Sequence, residues 1–263
     1  MRLIELACAA IVALYLFLRL RAARPDERGA IARRLAILLL ASFLGEDTCI
    51  RAYRFYHYAP GWDLFVDQVP LFIVVIWPVV VDSAWQLAKR LAGARVSWVP
   101  LFAALIVLAD ASLIEPIAVR AGLWSWSAPG LFAVPPIGIL GWSFFALSAI
   151  ALVERAGFAT LLLAPLFTHL LLLVSWWGAL RWMSGSIAPW HGALVAWLVL
   201  APLALFFWSR KLRARVPIGE LLVRVPGAIF FFALLALFAR QDRALVAWAC
   251  AFAPPYLALL NFS

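Results

Sequence analysis

The sequence has little charge for its length, and this shortage argues against a water-soluble fold. Only 13% of its 263 residues are Asp, Glu, Lys or Arg, whereas soluble domains carry about 25%. Hydrophobic residues make up 67% of the chain, and the mean hydropathy is +1.00. A soluble fold would have too few polar residues to cover its surface. The composition therefore predicts an integral membrane protein whose main partner is the lipid bilayer.

Cysteine and histidine are also scarce. Cys8, Cys49 and Cys250 fall inside apolar segments without paired spacing, which predicts neither a disulfide nor a thiolate metal site. The three histidines lie on separate segments, which argues against a histidine-rich di-iron site of the membrane desaturase kind. Because the sequence also has no metal, flavin or nucleotide motif, we expect no cofactor.

Long hydrophilic linkers are missing as well, so we expect a single transmembrane domain over residues 1–263. The net charge of +9 comes from short basic clusters between apolar runs, a pattern typical of membrane loops and not of nucleic-acid binding. The apolar runs predict an all-α polytopic bundle of eight or nine transmembrane helices, and leave the oligomeric state open. The predicted spans are 3–18, 35–50, 64–88, 96–119, 131–153, 158–180, 191–208, 225–239 and 244–262.

The distribution of Lys and Arg predicts the orientation. If the 19–34 loop is cytoplasmic, nine alternating crossings place 15 of the 22 basic residues on the cytoplasmic side, including those of the 89–95 and 209–224 loops. The first apolar run is followed by positive charge and no small-residue cleavage site, which indicates a retained helix. We therefore predict a multi-pass protein of the cell's inner membrane with its N-terminus outside.

Several polar side chains fall within the predicted spans, where a charge costs at least roughly 2.5–3.5 kcal/mol on insertion scales. From the inner edges of their helices, Glu46 and Asp47 lie about 17 Å deep, Asp110 about 21 Å and Glu115 about 29 Å. One reading is a buried network in which arginines neutralise the acids; Asp47 and Arg51, for example, have i,i+4 spacing. The other is a functional site in the middle to outer part of the bundle. Its members would be Glu46, Asp47, Asp67, Asp110, Glu115 and His169.

Residues 110–126 hold the densest signal and read DASLIEPIAVRAGLWSW. Pro116 directly follows Glu115 and is expected to kink the helix and open space beside the carboxyl group. Trp124 and Trp126 follow within a few residues. They fit either an interfacial aromatic belt or a substrate-lining role.

This string resembles the integral-membrane carotenoid biosynthesis family that includes the carotenoid 1,2-hydratases. The family's Glu-Pro-Ile/Val-Ala and Gly-x-Trp-x-Trp segments are present, and residues 134–142, VPPIGILGW, resemble its next element. The YRFYHY segment at 53–58 resembles its Tyr-x-Tyr region, so the similarity covers roughly residues 40–145. The chain departs from the family pattern at Gly138, Ile139 and Arg54, where the family has Asn, Phe and a small residue.

The resemblance implies an apolar carotenoid or isoprenoid substrate and an enzyme of the hydratase type. A buried carboxylic acid would protonate a C=C bond, water would capture the carbocation, and aromatic faces would stabilise it. The acid and base candidates are Glu115, Asp110, Glu46 and Asp47. The substrate-binding candidates are Trp124, Trp126, Trp142, Tyr53, Tyr56, Asp67 and His169.

Three alternatives remain open from the sequence. A carotenoid or terpene cyclase would use the same protonation and let a neighbouring alkene capture the cation. A proton-coupled transporter would use the same carboxylates as a relay, although the chain has no visible inverted repeat. A non-catalytic membrane scaffold would leave the buried acids unexplained.

Overall fold

The computed structural model describes residues 1–183, 187–209, 216 and 218–259. This part of the chain is an all-α polytopic bundle with a few very short strands. Its helices, in chain order, are α1 (Arg2–Ala22), α2 (Pro25–Tyr53), α3 (Leu71–Ala92), α4 (Val99–Arg120), α5 (Pro136–Val153), α6 (Thr160–Gly178), α7 (Pro189–Ser209), α8 (Ile218–Ala239) and α9 (Arg243–Leu259).

Seven of these helices are long and apolar enough to cross a membrane, namely all except α2 and α9. The chain is therefore a multi-pass membrane protein, as its composition predicts. Helix α2 has 29 residues, but its apolar part also contains Glu46, Asp47 and Arg51. Helix α9 is shorter and breaks between Cys250 and Ala253.

Proline and glycine mark several helix boundaries. Pro25 and Pro136 lie in the first turn of α2 and α5, where the missing N–H has no intrahelical partner to lose. Gly93 ends α3 with a φ of 55°, a conformation that favours a residue without a side chain. These residues help to set the start of α2 and α5 and the end of α3.

Four short strands lie between the helices. The α2–α3 connection contains β1 (Tyr56–Tyr58), β2 (Phe65–Val66) and β3 (Val69–Pro70), and the α4–α5 connection contains β4 (Trp124–Trp126). β1 pairs antiparallel with β4, while β2 pairs with β3. The β1–β4 pair requires both connections to lie on one side of the bundle, here called the strand side, as alternating helices predict.

The N-terminus lies on the strand side too. Arg2 pairs with Asp63 at 3.1 Å, and the Glu5 carboxylate accepts a hydrogen bond from the Asp63 backbone N–H at 2.7 Å. Arg120, at the end of α4, pairs with Asp242 between α8 and α9. The strand side is thus the side that the basic residues predict to be outside.

A buried ionic cluster occupies the other half of the bundle. Asp82 lies near the inner end of a predicted span, and this position predicts an interfacial residue. In the structure it is fully buried in α3. Its carboxylate accepts hydrogen bonds from Tyr15 at 2.7 Å and Arg19 at 3.0 Å, and lies 3.4 Å from Arg34. These contacts join α1, α2 and α3.

The eighth span begins earlier than the sequence suggests. The prediction places it at 225–239, and the structure is helical over Val225–Leu234 and Leu235–Ala239. α8 also has a short first part, Ile218–Leu222, and Arg224, which the prediction assigns to a cytoplasmic loop, lies at the break between the two parts and is largely buried. The sequence did not indicate the first part because this arginine interrupts the apolar run. Its charge is compensated by Asp110, more than 100 positions away in the chain.

Candidate active site

Glu115 is the most completely enclosed carboxylate of the strand-side half. It lies in the last two turns of α4 and is 2% exposed. Three indole N–H groups donate to it: Trp124 at 2.8 Å and Trp126 at 3.0 Å to Oε2, and Trp142 at 2.7 Å to Oε1. The sequence predicts all four residues as site members, and the structure brings them together.

The local structure explains this convergence. Trp124 and Trp126 are two residues apart in β4, so both side chains lie on the same face of the strand, which covers Glu115. Trp142 comes from the second turn of α5, which packs against α4. One carboxylate therefore fixes three large aromatic rings from two different elements.

Glu46 is the second carboxylate of this region. It lies on α2, is partly buried, and accepts a hydrogen bond from the Tyr58 hydroxyl. The Tyr56 hydroxyl and the Trp77 indole also interact with it, and it lies close enough to Glu115 for the two carboxyl groups to interact. The two acids are thus neighbours separated by aromatic side chains.

The β1–β4 pair arranges those aromatic side chains. In its register Tyr56 faces Trp126 and Tyr58 faces Trp124, so four aromatic residues share one face. Tyr56 and Trp126 have ring centroids 4.7 Å apart. Burial, and then the neighbouring Glu46 carboxyl, raise the pKa of Tyr58 well above its ordinary value. Its hydroxyl therefore stays protonated and acts as a hydrogen-bond donor.

A cavity of about 60 Å³ lies beside Glu46. A buried water needs roughly 10–15 Å³ of such space, so the cavity has room for a few water molecules. Trp77 and Trp142, with centroids 4.6 Å apart, form part of its wall. The full lining is Ser42, Gly45, Glu46, Cys49, Phe55, Tyr56, Trp77, Trp126, Ile137, Gly138, Gly141, Trp142, Phe145, Thr168 and Leu172.

Gly138 lets Trp126 approach this wall. A Cβ atom at residue 138 would lie 2.5 Å from the Trp126 ring, closer than real Cβ contacts permit. The family pattern has Asn at this position, and in this chain the Trp126 indole fills the space that such a side chain would need. A Cβ atom at Gly141, one turn later, would lie 3.6 Å from its nearest neighbour, so a side chain could be accommodated there.

Asp47 and Asp67 lie in a separate ionic group. Asp47 pairs with Arg51 at 2.9 Å, as the i,i+4 spacing predicts, and Arg51 also pairs with Asp67. Asp47 additionally accepts the backbone N–H of Gln68 at 3.3 Å. This group ties α2 to the β2–β3 turn, and neither aspartate lines the cavity.

Asp110 lies in another network. Its carboxylate pairs with Arg224 of α8 and accepts a hydrogen bond from the Tyr256 hydroxyl of α9 at 2.9 Å. Arg224 also donates to Ser83 of α3 at 2.8 Å. The structure therefore connects Asp110 with α3, α8 and α9, and does not bring it to Glu115.

Tyr53 and His169 pair with each other at the edge of the region. The His169 Nδ1 lies 3.0 Å from the Tyr53 hydroxyl, and its Nε2 lies 2.8 Å from the Thr48 hydroxyl. These contacts join α2 to α6. Neither ring lines the cavity, although Phe55, which stacks on Tyr53, does.

Sequence reasoning missed three members of the region, Tyr58, Trp77 and Gly138. The Tyr56-x-Tyr58 spacing was a usable signal, because residues two apart in a strand share one face. Trp77 gave no spacing signal, and Gly138 stood out only as a departure from the family pattern, since their roles depend on the packing of α3 and α5. Among the described residues, no group of three His, Cys, Asp or Glu side chains is placed to hold a metal ion.

Comparisons with known proteins identify the family of the chain. No curated protein and no solved structure matches the chain. The family model described as "carotenoid biosynthesis protein" matches residues 2–201, which includes Glu46, Glu115, the β1–β4 pair and the whole lining of the cavity. Because that match covers well over half of the sequence, the chain belongs to the carotenoid biosynthesis protein family.

Proposed function

We propose that the protein is a membrane enzyme that protonates a C=C bond in the end group of a carotenoid or related isoprenoid, and that water captures the resulting carbocation. The observation that carries this proposal is the cavity beside Glu46, in which one carboxyl group faces the aromatic rings of Trp77, Trp126 and Trp142. Membership of the carotenoid biosynthesis family supports an apolar polyene as the substrate.

Glu46 is the better candidate for the proton donor. A carboxyl group has about four lone-pair sites, and Glu115 uses three of them to accept indole N–H groups. Glu46 also has several partners, Tyr58, Tyr56 and Trp77, but it lines the cavity directly, whereas Glu115 does not. Glu115 is in this view a positioning residue that fixes the aromatic wall.

The proposed reaction is a hydration with a closed proton cycle. The Glu46 carboxyl transfers its proton to one alkene carbon, and the π electrons form the new C–H bond, which leaves a tertiary carbocation and a carboxylate. A water oxygen then bonds to the cation. The resulting oxonium returns one proton to Glu46, giving a tertiary alcohol and the original acid.

The walls of the cavity suit both the cation and the water. Aromatic faces carry negative quadrupole density and stabilise a cation within about 6 Å of the ring centre. The Ser42 and Thr168 hydroxyls donate to backbone carbonyls, at 3.0 Å and 2.7 Å, and therefore keep lone pairs that can accept from water. Both residues line the cavity.

Expression in cells that accumulate lycopene, followed by mass analysis of the pigments, tests the proposal. Hydration predicts a product heavier by one water for each end group that reacts. An isomer of unchanged mass would instead assign the same protonation to a cyclase, in which a neighbouring alkene captures the cation. Unaltered pigment, with the protein folded in the membrane, would contradict both assignments for this substrate.

A further inference from the structure

A second and larger concavity lies away from the candidate active site. It measures about 850 Å³, within the range of roughly 300–1,000 Å³ that small-molecule sites occupy. Leu105 and Ala109 of α4 form one wall, Leu200 and Leu203 of α7 form the other, and Tyr256 of α9 lies at the back. It shares no lining residue with the cavity beside Glu46.

The polar groups at the back of this cleft are already satisfied. The Tyr256 hydroxyl donates to Asp110 at 2.9 Å and also contacts Arg224, and Asp110 and Arg224 pair with each other. A ligand in the back of the cleft therefore meets hydrocarbon surface and no free polar atom of this network. The part of a ligand that fits there is an apolar chain.

The mouth of the cleft, unlike its back, presents a charged side chain that has no acidic partner among the described residues. Arg95, in the α3–α4 connection on the side opposite the strands, lines the mouth and is exposed. Nearby basic side chains have acidic partners: Arg90 pairs with Glu220 at 2.9 Å and Lys89 with Glu154 at 3.7 Å. Among the residues that the structure describes, Arg95 has no such partner.

We infer that this cleft binds an anionic phospholipid, with an acyl chain between α4 and α7 and its phosphate at Arg95. An apolar cavity that opens beside a cation with no acidic partner among the described residues matches the chemistry of a lipid headgroup and tail in both position and charge. The inference is independent of the proposed reaction, because the two concavities are separate.

Native mass spectrometry of the full-length protein tests the inference. The protein is solubilised in mixed micelles that contain equal amounts of phosphatidylglycerol and phosphatidylcholine, and retained lipids are counted. We expect preferential retention of one phosphatidylglycerol. Arg95→Gln should reduce that retention about fivefold, which is the effect of one basic residue near a lipid surface. Added inorganic phosphate should not displace the lipid, because free phosphate has no chain to fill the cleft.

Two further variants keep the test decisive. Arg155→Gln removes another exposed basic residue, at the end of α5 and away from the cleft, and should leave retention unchanged. Ala109→Phe keeps every charge but fills the cleft, and should also reduce retention. The inference is overturned if Arg95→Gln and Arg155→Gln behave alike, if Ala109→Phe has no effect, or if the wild-type protein shows no preference for the anionic lipid.

Discussion

At the residue scale, Glu46 and Glu115 differ in what surrounds them. Glu115 is enclosed by three indole N–H donors, whereas Glu46 lines a cavity that has room for water. In the proposed reaction, this difference assigns proton donation to Glu46 and the positioning of the aromatic walls to Glu115. It also makes the effects of substituting the two residues distinguishable.

Glu46→Gln should abolish most of the activity without unfolding the protein. The amide keeps the size of the side chain and can still accept from Tyr58, but it has no acidic proton to transfer. A general acid contributes about 10²–10⁴-fold, so product formation per folded protein should fall by at least the lower figure. Pigment analysis normalised to purified protein measures this.

Asp47→Asn is the matched control for that variant. Asp47 is the next residue in the chain, does not line the cavity, and pairs with Arg51, which is half exposed and keeps Asp67 as a partner. The expected cost is about 1 kcal/mol of stability, with turnover per folded molecule nearly unchanged. Equal loss of turnover in both variants would contradict the assignment of Glu46.

Glu115→Gln should act mainly on stability and on the order of the aromatic wall. An amide has a single oxygen, so at least one of the three buried indole N–H groups would face an NH₂ group. A buried donor without a partner costs about 1–3 kcal/mol. Thermal unfolding followed by tryptophan fluorescence should show a lower midpoint, whereas Glu154→Gln, at an exposed carboxylate, should show little change. An unchanged midpoint for Glu115→Gln would argue against the three-indole arrangement.

Part of this site could be predicted from the sequence. Glu115, Pro116 and the two tryptophans that follow them lie close together in the chain. One helix end and one strand are therefore enough to bring them together. Asp110 shows the limit of such reasoning. Its depth indicates a functional acid, but its partners Arg224 and Tyr256 lie more than 100 positions away, and no spacing rule connects them.

At the element scale, the β1–β4 pair and α5 together shape the cavity. The sequence predicted the helices well, because long apolar runs have few alternatives in a membrane. It did not predict the strands, since three residues are too few for a period-two pattern to stand out. Helix α2 also begins at Pro25 and not at residue 35, because its first turns are polar and reach beyond the apolar run.

Gly138→Ala tests the contact between α5 and β4. The added methyl group would lie 2.5 Å from the Trp126 ring, so the indole must shift from its position beside Glu115. We expect activity to fall at least tenfold, with a smaller loss of stability, since overpacking typically costs about 1–3 kcal/mol. Gly141→Ala, whose nearest neighbour would be 3.6 Å away, should be close to wild type in both measurements. If the two alanine variants have the same activity, the Trp126 position is not critical.

At the scale of the whole molecule, the contacts of the strand side agree with the alternation of crossings on which the predicted orientation is based. The N-terminus, the α2–α3 and α4–α5 connections and the α8–α9 connection meet on this side. Arg19, Arg34 and the α3–α4 connection lie toward the other side. The cavity beside Glu46 would then open in the outer half of the bilayer.

Single cysteines introduced into a variant that lacks Cys8, Cys49 and Cys250 test this orientation. A membrane-impermeant thiol reagent applied to intact cells should label a cysteine at position 128, in the α4–α5 connection, and should not label one at position 95 until the cells are opened. The reverse pattern would place the N-terminus in the cytoplasm. Labelling of both positions in intact cells would rule out an alternating bundle.

Deuterium incorporation tests the central claim, protonation of a substrate C=C bond by the enzyme, most directly. When the purified protein acts on lycopene in D₂O, the acidic hydrogen exchanges with solvent and is then transferred to carbon. The account predicts one non-exchangeable deuterium for each end group that reacts, whether water or an alkene captures the cation. Mass analysis after back-exchange in H₂O would count it. A product without carbon-bound deuterium would contradict the account.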